Sequence, residues 1–162
     1  MTKPRILVIG FGNPGRLDDG LGPRLAEAVA AAALPGVAVI VDYSLQVEHA
    51  AAVAEHDLVV LADAAVAGAA PFTWHELPPD AVDAAAFSTH VVSPAGLMAL
   101  AGEHLGARPR AFVLAMRGYE FDEFGERLSP GAADNLAAAL AFLLPALAAG
   151  RLAEPADRVV RT

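Results

Sequence analysis

Two acids and a histidine lie at points where short apolar segments of the sequence give way to loops. Asp19 follows the segment RILVIG and a glycine-rich loop, Asp63 closes the run LVVLAD, and His90 lies in the segment FSTH. Two carboxylates and an imidazole can hold a divalent metal that polarises a carbonyl or a bound water. They can also share a proton, so that one carboxylate acts as general base and the other as general acid. Both schemes are hydrolytic, and the residue types alone do not separate them.

Each of the three residues also has an ordinary structural interpretation. Asp18 or Asp19 could cap the helix that begins near Gly20, and a loop histidine such as His90 could bond a nearby carbonyl. Asp63 could cap the turn after its strand, but a charge beside an apolar core is costly, which favours a functional role. The remaining histidines are expected at the surface or outside the site. They are His49, His56, His104 and His75.

Strands that alternate with helices must position these residues. Apolar runs of strand length cover residues 5–10, 37–41, 58–62, 72–77 and 111–116, and helical signals cover 21–33, 47–54, 93–101 and 130–149. This alternation predicts a single three-layer α/β domain with a mostly parallel, roughly five-stranded sheet flanked by helices. The domain is expected to span residues 1–149, followed by an irregular tail over 150–162. Since ligands bind beyond the carboxyl ends of parallel strands, Asp19, Asp63 and His90 are expected to converge there.

Composition argues against several classes of function. The chain has 162 residues, of which 56% are hydrophobic, so it can bury one compact core. A net charge of −8 and scattered arginines argue against nucleic-acid binding. No uncharged apolar stretch is long enough to span a bilayer and no signal peptide is recognised, so no membrane partner and a cytoplasmic location are expected. Without cysteine, the chain has no thiolate metal ligand and no cysteine nucleophile.

The loop GFGNPG satisfies a pattern typical of dinucleotide binding. Gly10, Gly12 and Gly15 follow a strand with the spacing G-x-G-x-x-G, and Asp42 ends the next strand, where a ribose-binding acid would lie. However, two aspartates stand between the loop and the helix, and their charges would repel a pyrophosphate. A dinucleotide-dependent oxidoreductase is therefore an alternative to hydrolysis and not the first interpretation.

Three segments together resemble the hydrogenase maturation proteases. ILVIGFGNPGRLDDGLGPRLAEAV is similar to the opening of that family, LVVLADA to its second acidic motif and STHVVSPAGLMALA to its histidine motif, in the same order and spacing. The likeness covers roughly residues 4–145. It implies an α/β fold, and it implies that Asp19, Asp63 and His90 form the metal-contacting site, with Asp18 a neighbour.

The resemblance also implies an activity and a partner. Members of this family are endopeptidases that remove a C-terminal peptide from the large-subunit precursor of a nickel-iron hydrogenase after nickel insertion. The implied metal is the nickel of the substrate, or another divalent metal in the isolated protein. The implied chemistry is aspartic-type or metal-assisted hydrolysis. A noncatalytic binding module for hydrogenase assembly would keep the same fold and is the second alternative.

The chain departs from the family in two segments. After the second strand it reads DYSLQVEHA, where many members carry a glycine-rich D-G-G-T segment, so the choice of hydrogenase does not carry over. Residues 117–130, RGYEFDEFGERLSP, form a longer and more aromatic loop than expected. This loop is interpreted either as a contact for the partner or as an ordinary loop that packs its own aromatic side chains.

Overall fold

Strands and helices alternate along the chain in a computed structural model, which describes residues 2–78, 92–153 and 159–160. The strands are β1 Ile6–Phe11, β2 Val37–Asp42, β3 Leu58–Ala65, β4 Phe72–Glu76, β5 Arg110–Arg117 and β6 Val159–Val160. The helices are α1 Leu21–Ala31, α2 His49–Ala54, α3 Pro94–Leu105 and α4 Pro130–Ala149, with a 3-10 turn over Leu17–Gly20 before α1. Every strand and helix predicted from the sequence is present, with ends displaced by up to four residues.

One six-stranded sheet carries the fold, in the order β2-β1-β3-β5-β4-β6. β1 pairs in parallel with β2 and β3, and β3 pairs in parallel with β5. β4 is antiparallel to both of its neighbours, β5 and β6. The sheet is therefore mostly parallel, which confirms the predicted α/β class. The ends of β1, β2, β3 and β5 form its carboxyl edge.

Helices cover both faces of the sheet. On one face, α1 and α4 pack against residues that include Ile6 and Val8, and on the other, α2 and α3 pack against residues that include Leu7 and Ile9. Successive residues of a strand point to opposite faces, and here both faces are buried. This is why β1 and β3 are unbroken apolar runs and do not alternate with polar residues.

Capping residues define the ends of α3 and α4. Ser93 accepts a hydrogen bond from the Gly96 N–H at 3.0 Å, Ser129 accepts one from the Ala132 N–H at 3.3 Å, and a proline follows each serine. Gly106 and Gly150 end the two helices with left-handed φ values of 67° and 68°, a conformation that favours glycine. These local signals explain why the starts of both helices were predicted well.

Helix α4 is long and apolar enough to cross a membrane by length and composition alone. Asp134 interrupts its apolar run, which is why the sequence predicted no spanning segment. In the fold, α4 packs on α1 and on the sheet through residues spaced three or four apart. The residues buried along that face are Ala132, Asn135, Ala139, Leu143 and Leu147. One face of α4 thus packs within the domain, and length and composition by themselves are weak evidence for a membrane span.

The tail after residue 149 was expected to be irregular, and it is only partly so. Leu152 is buried in the core, and Ala153 accepts a hydrogen bond from the indole N–H of Trp74 at 3.1 Å. Val159–Val160 then pairs antiparallel with β4 as β6. Two branched residues are too short a run to predict a strand. β6 forms because its backbone pairs with that of β4.

Candidate functional site

Asp19 lies where the sequence predicted it, in the turn after β1. Its Oδ2 accepts a hydrogen bond from the Asn13 N–H at 2.7 Å, so the carboxylate closes the glycine loop onto the turn. The backbone bends sharply here, since Leu17 adopts a φ of 53° and its buried side chain holds that conformation. Asp19 caps no helix, because the capping position of α1 is Gly20 and no side chain bonds the first turn there.

Asp63 lies near the carboxyl end of β3, the strand between β1 and β5, which runs further than the sequence predicted, to Ala65. Its Oδ1 accepts a hydrogen bond from the Ala64 N–H at 2.7 Å. Burial raises the pKa of Asp63 to about 7, the hydrogen bond from Ala64 works against this rise, and the negative charge of Asp19 adds to it. The fold thus brings Asp19 and Asp63 close enough for their charges to interact.

His90, the third residue predicted for the site, lies outside the described residues. The described chain resumes at Val92, whose N–H donates to the Leu45 carbonyl at 3.3 Å, beyond the carboxyl end of β2. Ser93 then caps α3. The convergence of His90 with the two aspartates stays a prediction.

Asp19 and Asp63 offer carboxylate oxygens, which suit divalent cations. Across residues 2–78 and 92–153, no group of three or more His, Asp or Glu side chains could hold a metal ion. Two carboxylates alone would leave most coordination positions of a metal open, and a cation between them would favour their ionised forms. The pair therefore fits a metal only together with a further ligand, which His90 or the substrate would supply.

The GFGNPG loop uses its amides within the chain. The Asn13 N–H donates to Asp19, and the Gly15 N–H donates to the Asn13 side chain at 2.9 Å. The Gly12 N–H donates to the backbone carbonyl of Asp42 at 3.1 Å. A pyrophosphate would have to displace these bonds and would then meet the carboxylate of Asp19. The geometry of the loop therefore argues against the dinucleotide alternative.

The glycines serve close packing of the backbone. A Cβ added to Gly10 would lie 2.1 Å from the Gly22 carbonyl oxygen, and one added to Gly22 would lie 2.3 Å from the Phe11 carbonyl oxygen. Gly12 has a φ of 141°, and its Cβ would lie 2.1 Å from the carbonyl oxygen of Asp19. Helix α1 and the turn therefore rest directly on the backbone of β1, and this contact fixes the position of Asp19.

Asp18 is fully buried and has a role that the sequence did not reveal. Its Oδ2 accepts hydrogen bonds from the Tyr119 N–H at 2.8 Å, the Glu120 N–H at 3.0 Å and the Ser129 hydroxyl at 2.6 Å. Its Oδ1 accepts one from the Ser129 N–H at 2.7 Å. Burial works to raise the pKa of Asp18, but these hydrogen bonds outweigh it and hold the pKa below its usual range. Asp18 thus anchors the segment after β5 to the turn that carries Asp19.

The aromatic loop, residues 118–129 between β5 and α4, lies against that same turn. The Gly125 N–H donates to the Gly15 carbonyl at 2.8 Å, and the Leu17 N–H donates to the Gly125 carbonyl at 2.9 Å. Phe124 is 85% exposed, with the Arg16 guanidinium 5.9 Å from the centre of its ring. The loop is therefore anchored through its backbone while it leaves an aromatic side chain exposed.

His49 was predicted to lie at the surface, and this prediction is wrong, since His49 is only 8% exposed. Its Nδ1 accepts a hydrogen bond from the Gln46 N–H at 3.0 Å, so Nε2 carries the proton and donates to Asp42 Oδ2 at 3.1 Å. A signal was present in the sequence, because His49 lies four residues before the buried Val53 on the same face of α2. The segment that departs from the family thus holds Asp42 at the carboxyl edge.

A groove of about 240 Å³ opens at this edge. Of the described residues that line it, Asp42 alone is charged, and the walls come from the glycine loop, the start of α1 and the end of β2. The lining residues are Gly12, Pro14, Pro23, Val41, Asp42 and Tyr43. Asn13, whose N–H donates to Asp19, lies between the lining residues Gly12 and Pro14 in the sequence. The groove and the acid pair therefore share one loop.

Comparisons with known proteins match this fold to solved structures, although no family model and no curated protein sequence matches the chain. The fold is similar to that of HycI, a nickel-iron hydrogenase maturation protease from Thermococcus kodakarensis KOD1, with a TM-score of 0.66, 22% identity and coverage of 90% of this chain and 92% of that one. It is similar to the hydrogenase maturating endopeptidase HybD from E. coli, with a TM-score of 0.63, 25% identity and coverage of 88% and 91%. It is also similar to a hydrogenase 2 maturation peptidase from a Thaumarchaeota archaeon, with a TM-score of 0.66, 23% identity and coverage of 88% of this chain and 97% of that one. The chain has the fold of hydrogenase maturation proteases, which confirms the resemblance inferred from three sequence motifs.

Proposed function

We propose that this protein is a cytoplasmic endopeptidase that removes a C-terminal peptide from the nickel-loaded large-subunit precursor of a nickel-iron hydrogenase. One observation carries the proposal. In a fold shared with hydrogenase maturation endopeptidases, Asp19 and Asp63 interact at the carboxyl edge of the sheet, where open α/β sheets bind ligands. The sequence motifs that carry the resemblance are those in which these two acids lie.

The environments of the two carboxylates suit different roles in hydrolysis. The Asn13 N–H holds the carboxylate of Asp19 in the turn beside the acid pair, so we assign Asp19 as the base that takes a proton from the attacking water. Asp63 is half-buried, and its raised pKa lets it retain its proton to higher pH, so we assign it as the acid that gives a proton to the leaving amine. The water oxygen bonds to the scissile carbonyl carbon, and the carbon–nitrogen bond then breaks.

Nickel enters this proposal as part of the substrate. Where that nickel is bound, Asp19, Asp63 and His90 would contact it with both carboxylates ionised, and the metal, in place of a proton on Asp63, would polarise a nearby carbonyl or water. Such contacts would restrict cleavage to precursors that have received their metal, because the acid pair alone offers too few ligands to retain it.

The two alternatives from the sequence have less support. The amides of the glycine loop are bonded to the chain itself and to Asp19, which leaves a dinucleotide phosphate without donors. A noncatalytic binding module would not require a buried carboxyl with a raised pKa beside a second carboxylate.

The test is cleavage of a nickel-loaded large-subunit precursor, followed as a mobility shift on a gel. Wild-type protein is expected to shorten the precursor, and Asp19→Asn is expected to abolish the shift. Asp134→Asn, an exposed acid on α4, is the matched control and should cleave like wild type. Unimpaired processing by Asp19→Asn would overturn the site assignment. Tight binding of the precursor by wild-type protein without cleavage would favour the binding module.

A further inference from the structure

Strand β2 forms one end of the sheet and, among the described residues, pairs only with β1. At the other end of the sheet, β4 is covered by β6 from the chain's own tail. Edge strands are usually protected by charges, prolines or bulges, because their free backbone groups can pair with another chain. The segment Val37–Asp42 reads VAVIVD and has neither a proline nor a charge before its last residue. Within residues 2–78 and 92–153, the β2 edge is therefore open to a further strand.

The register identifies which backbone groups of β2 face outward. The carbonyls of Gly36 and Asp42 both accept hydrogen bonds from β1, from the Ile6 N–H and the Gly12 N–H. Because the direction of backbone groups alternates along a strand, the even-numbered residues of β2 face β1 and the odd-numbered residues face away. The Val37 N–H is taken by the Leu34 carbonyl within the preceding turn.

The outward-facing donors of β2 are therefore the N–H groups of Val39 and Val41. An added strand would use these two groups and the neighbouring carbonyls, while the N–H groups of Ala38 and Ile40 remain bonded to β1. This alternation distinguishes pairing along the edge from a contact made by side chains alone.

The β2 edge leads into the candidate site. Val41 lines the groove beside Asp42 and Tyr43, and the opposite wall is the loop whose Asn13 N–H holds Asp19. The apolar side chains along this path are unusually exposed, with Val41 at 44%, Tyr43 at 69% and Val47 at 51%. A chain paired with β2 would therefore continue across an apolar surface to the groove that adjoins the acid pair.

We infer that a segment of the substrate protein binds in extended form along β2, paired with the backbone of Val39 and Val41, and that this pairing directs the cleaved chain into the groove. This inference rests on the proposed function and names the surface that holds the substrate. Strand addition draws its affinity from main-chain hydrogen bonds, with pockets for alternate side chains. It suits an enzyme whose substrate presents a flexible peptide, because such a peptide can adopt the extended form.

Amide hydrogen exchange of the complex tests the pairing. Asp63→Asn, which should bind without cleaving, is mixed with the nickel-loaded large-subunit precursor, and exchange is followed by NMR. The amides of Val39 and Val41 are expected to slow at least tenfold, while those of Ala38 and Ile40, already bonded to β1, change little. Unchanged exchange at Val39 and Val41 in a saturated complex would overturn the inference. If the same two amides slow as protein concentration rises without precursor, a second copy occupies the edge and the inference is also wrong.

A matched pair of variants supplies a kinetic test. Val41→Pro removes the outward N–H, whereas Val41→Thr keeps it together with a branched side chain. The proline variant is expected to have a KM for precursor cleavage at least tenfold above that of the threonine variant, with little difference in kcat between the two, because both change the side chain and only proline removes the N–H. Equal KM values for the two variants would contradict the inference. Because wild-type cleavage is measured in the same assay, failure of the pairing is distinguished from failure of the proposed function.

Discussion

The hydroxyl of Ser129 donates a 2.6 Å hydrogen bond to the carboxylate of Asp18, across 111 residues of sequence. The same carboxylate accepts the backbone N–H groups of Tyr119, Glu120 and Ser129. Four donors converge on a side chain that is fully buried. This cluster joins the start of α4 and the aromatic loop to the turn that carries Asp19. The candidate site is therefore held together by segments more than 100 residues apart in the sequence.

Asp18→Asn is expected to destabilise the fold by about 2–4 kcal/mol, because an amide NH2 would then face N–H donors and leave a buried group unsatisfied. Urea unfolding followed by circular dichroism measures the loss. Asp122→Asn removes an exposed acid from the same loop and should change stability by less than about 0.5 kcal/mol. Equal stability of the two variants would show that the Asp18 cluster does not hold the loop.

The raised pKa of Asp63 predicts how stability depends on pH. In the folded protein the pKa of Asp63 is about 7, whereas in the unfolded chain its carboxyl has the ordinary aspartate pKa of 3.8. The contribution of Asp63 to the free energy of unfolding is therefore fully present below about pH 4 and is lost as pH rises through about 7. Asp63→Asn removes this loss, so the variant should be more stable than wild type by roughly 1–3 kcal/mol at pH 8 and nearly equal to it at pH 4.

Urea unfolding of wild type and Asp63→Asn at pH 4, 6 and 8 provides the measurement, with Asp134→Asn as the control for an exposed acid. The NMR titration of the Asp63 carboxyl gives an independent midpoint, expected near 7. Asp19→Asn should lower that midpoint, because the charge of Asp19 contributes to the rise. A midpoint near 4 in the wild-type protein would contradict the burial of Asp63.

The sequence predicted the fold and the placement of Asp19 and Asp63 because both depend on local signals. Apolar runs of strand length, a serine followed by proline, and a glycine after a helix each act over a few residues, and the order of strands then places their ends on one edge. The acid after β1 and the acid near the end of β3 could therefore be assigned to that edge before any contact was known.

Features that depend on distant residues could not be predicted in this way. The partners of Asp18 lie more than 100 residues along the chain, so the sequence suggested only a helix cap or a neighbour of the site and not this buried network. β6 is two residues long and forms on the edge of β4. The burial of His49 was indicated by its helical spacing to Val53, but its polar neighbours in the sequence favoured the surface.

Gly22→Ala tests the close packing of α1 on β1. A Cβ at this position would lie 2.3 Å from the Phe11 carbonyl oxygen and 2.6 Å from that of Ala62, so a backbone must move. We expect a loss of stability of about 3 kcal/mol or more, since overpacking against a backbone costs at least as much as overpacking in a side-chain core. Gly15→Ala, whose Cβ would meet only the Asn13 side chain at 3.2 Å, is the milder control and should cost about 1 kcal/mol or less. Thermal unfolding of both variants measures the difference, and equal melting temperatures would contradict the packing.

His49→Leu tests the buried network at the end of β2. The change leaves the Gln46 N–H without its acceptor and Asp42 without the donor at 3.1 Å, so we expect a loss of about 1–3 kcal/mol. His75→Leu, at an exposed position on β4, is the matched control and should stay within about 0.5 kcal/mol of wild type. His49→Gln, which can still donate to Asp42, should recover part of the loss. Urea unfolding gives all three values, and a His49→Leu variant as stable as wild type would show that Asp42 is held at the carboxyl edge without the imidazole.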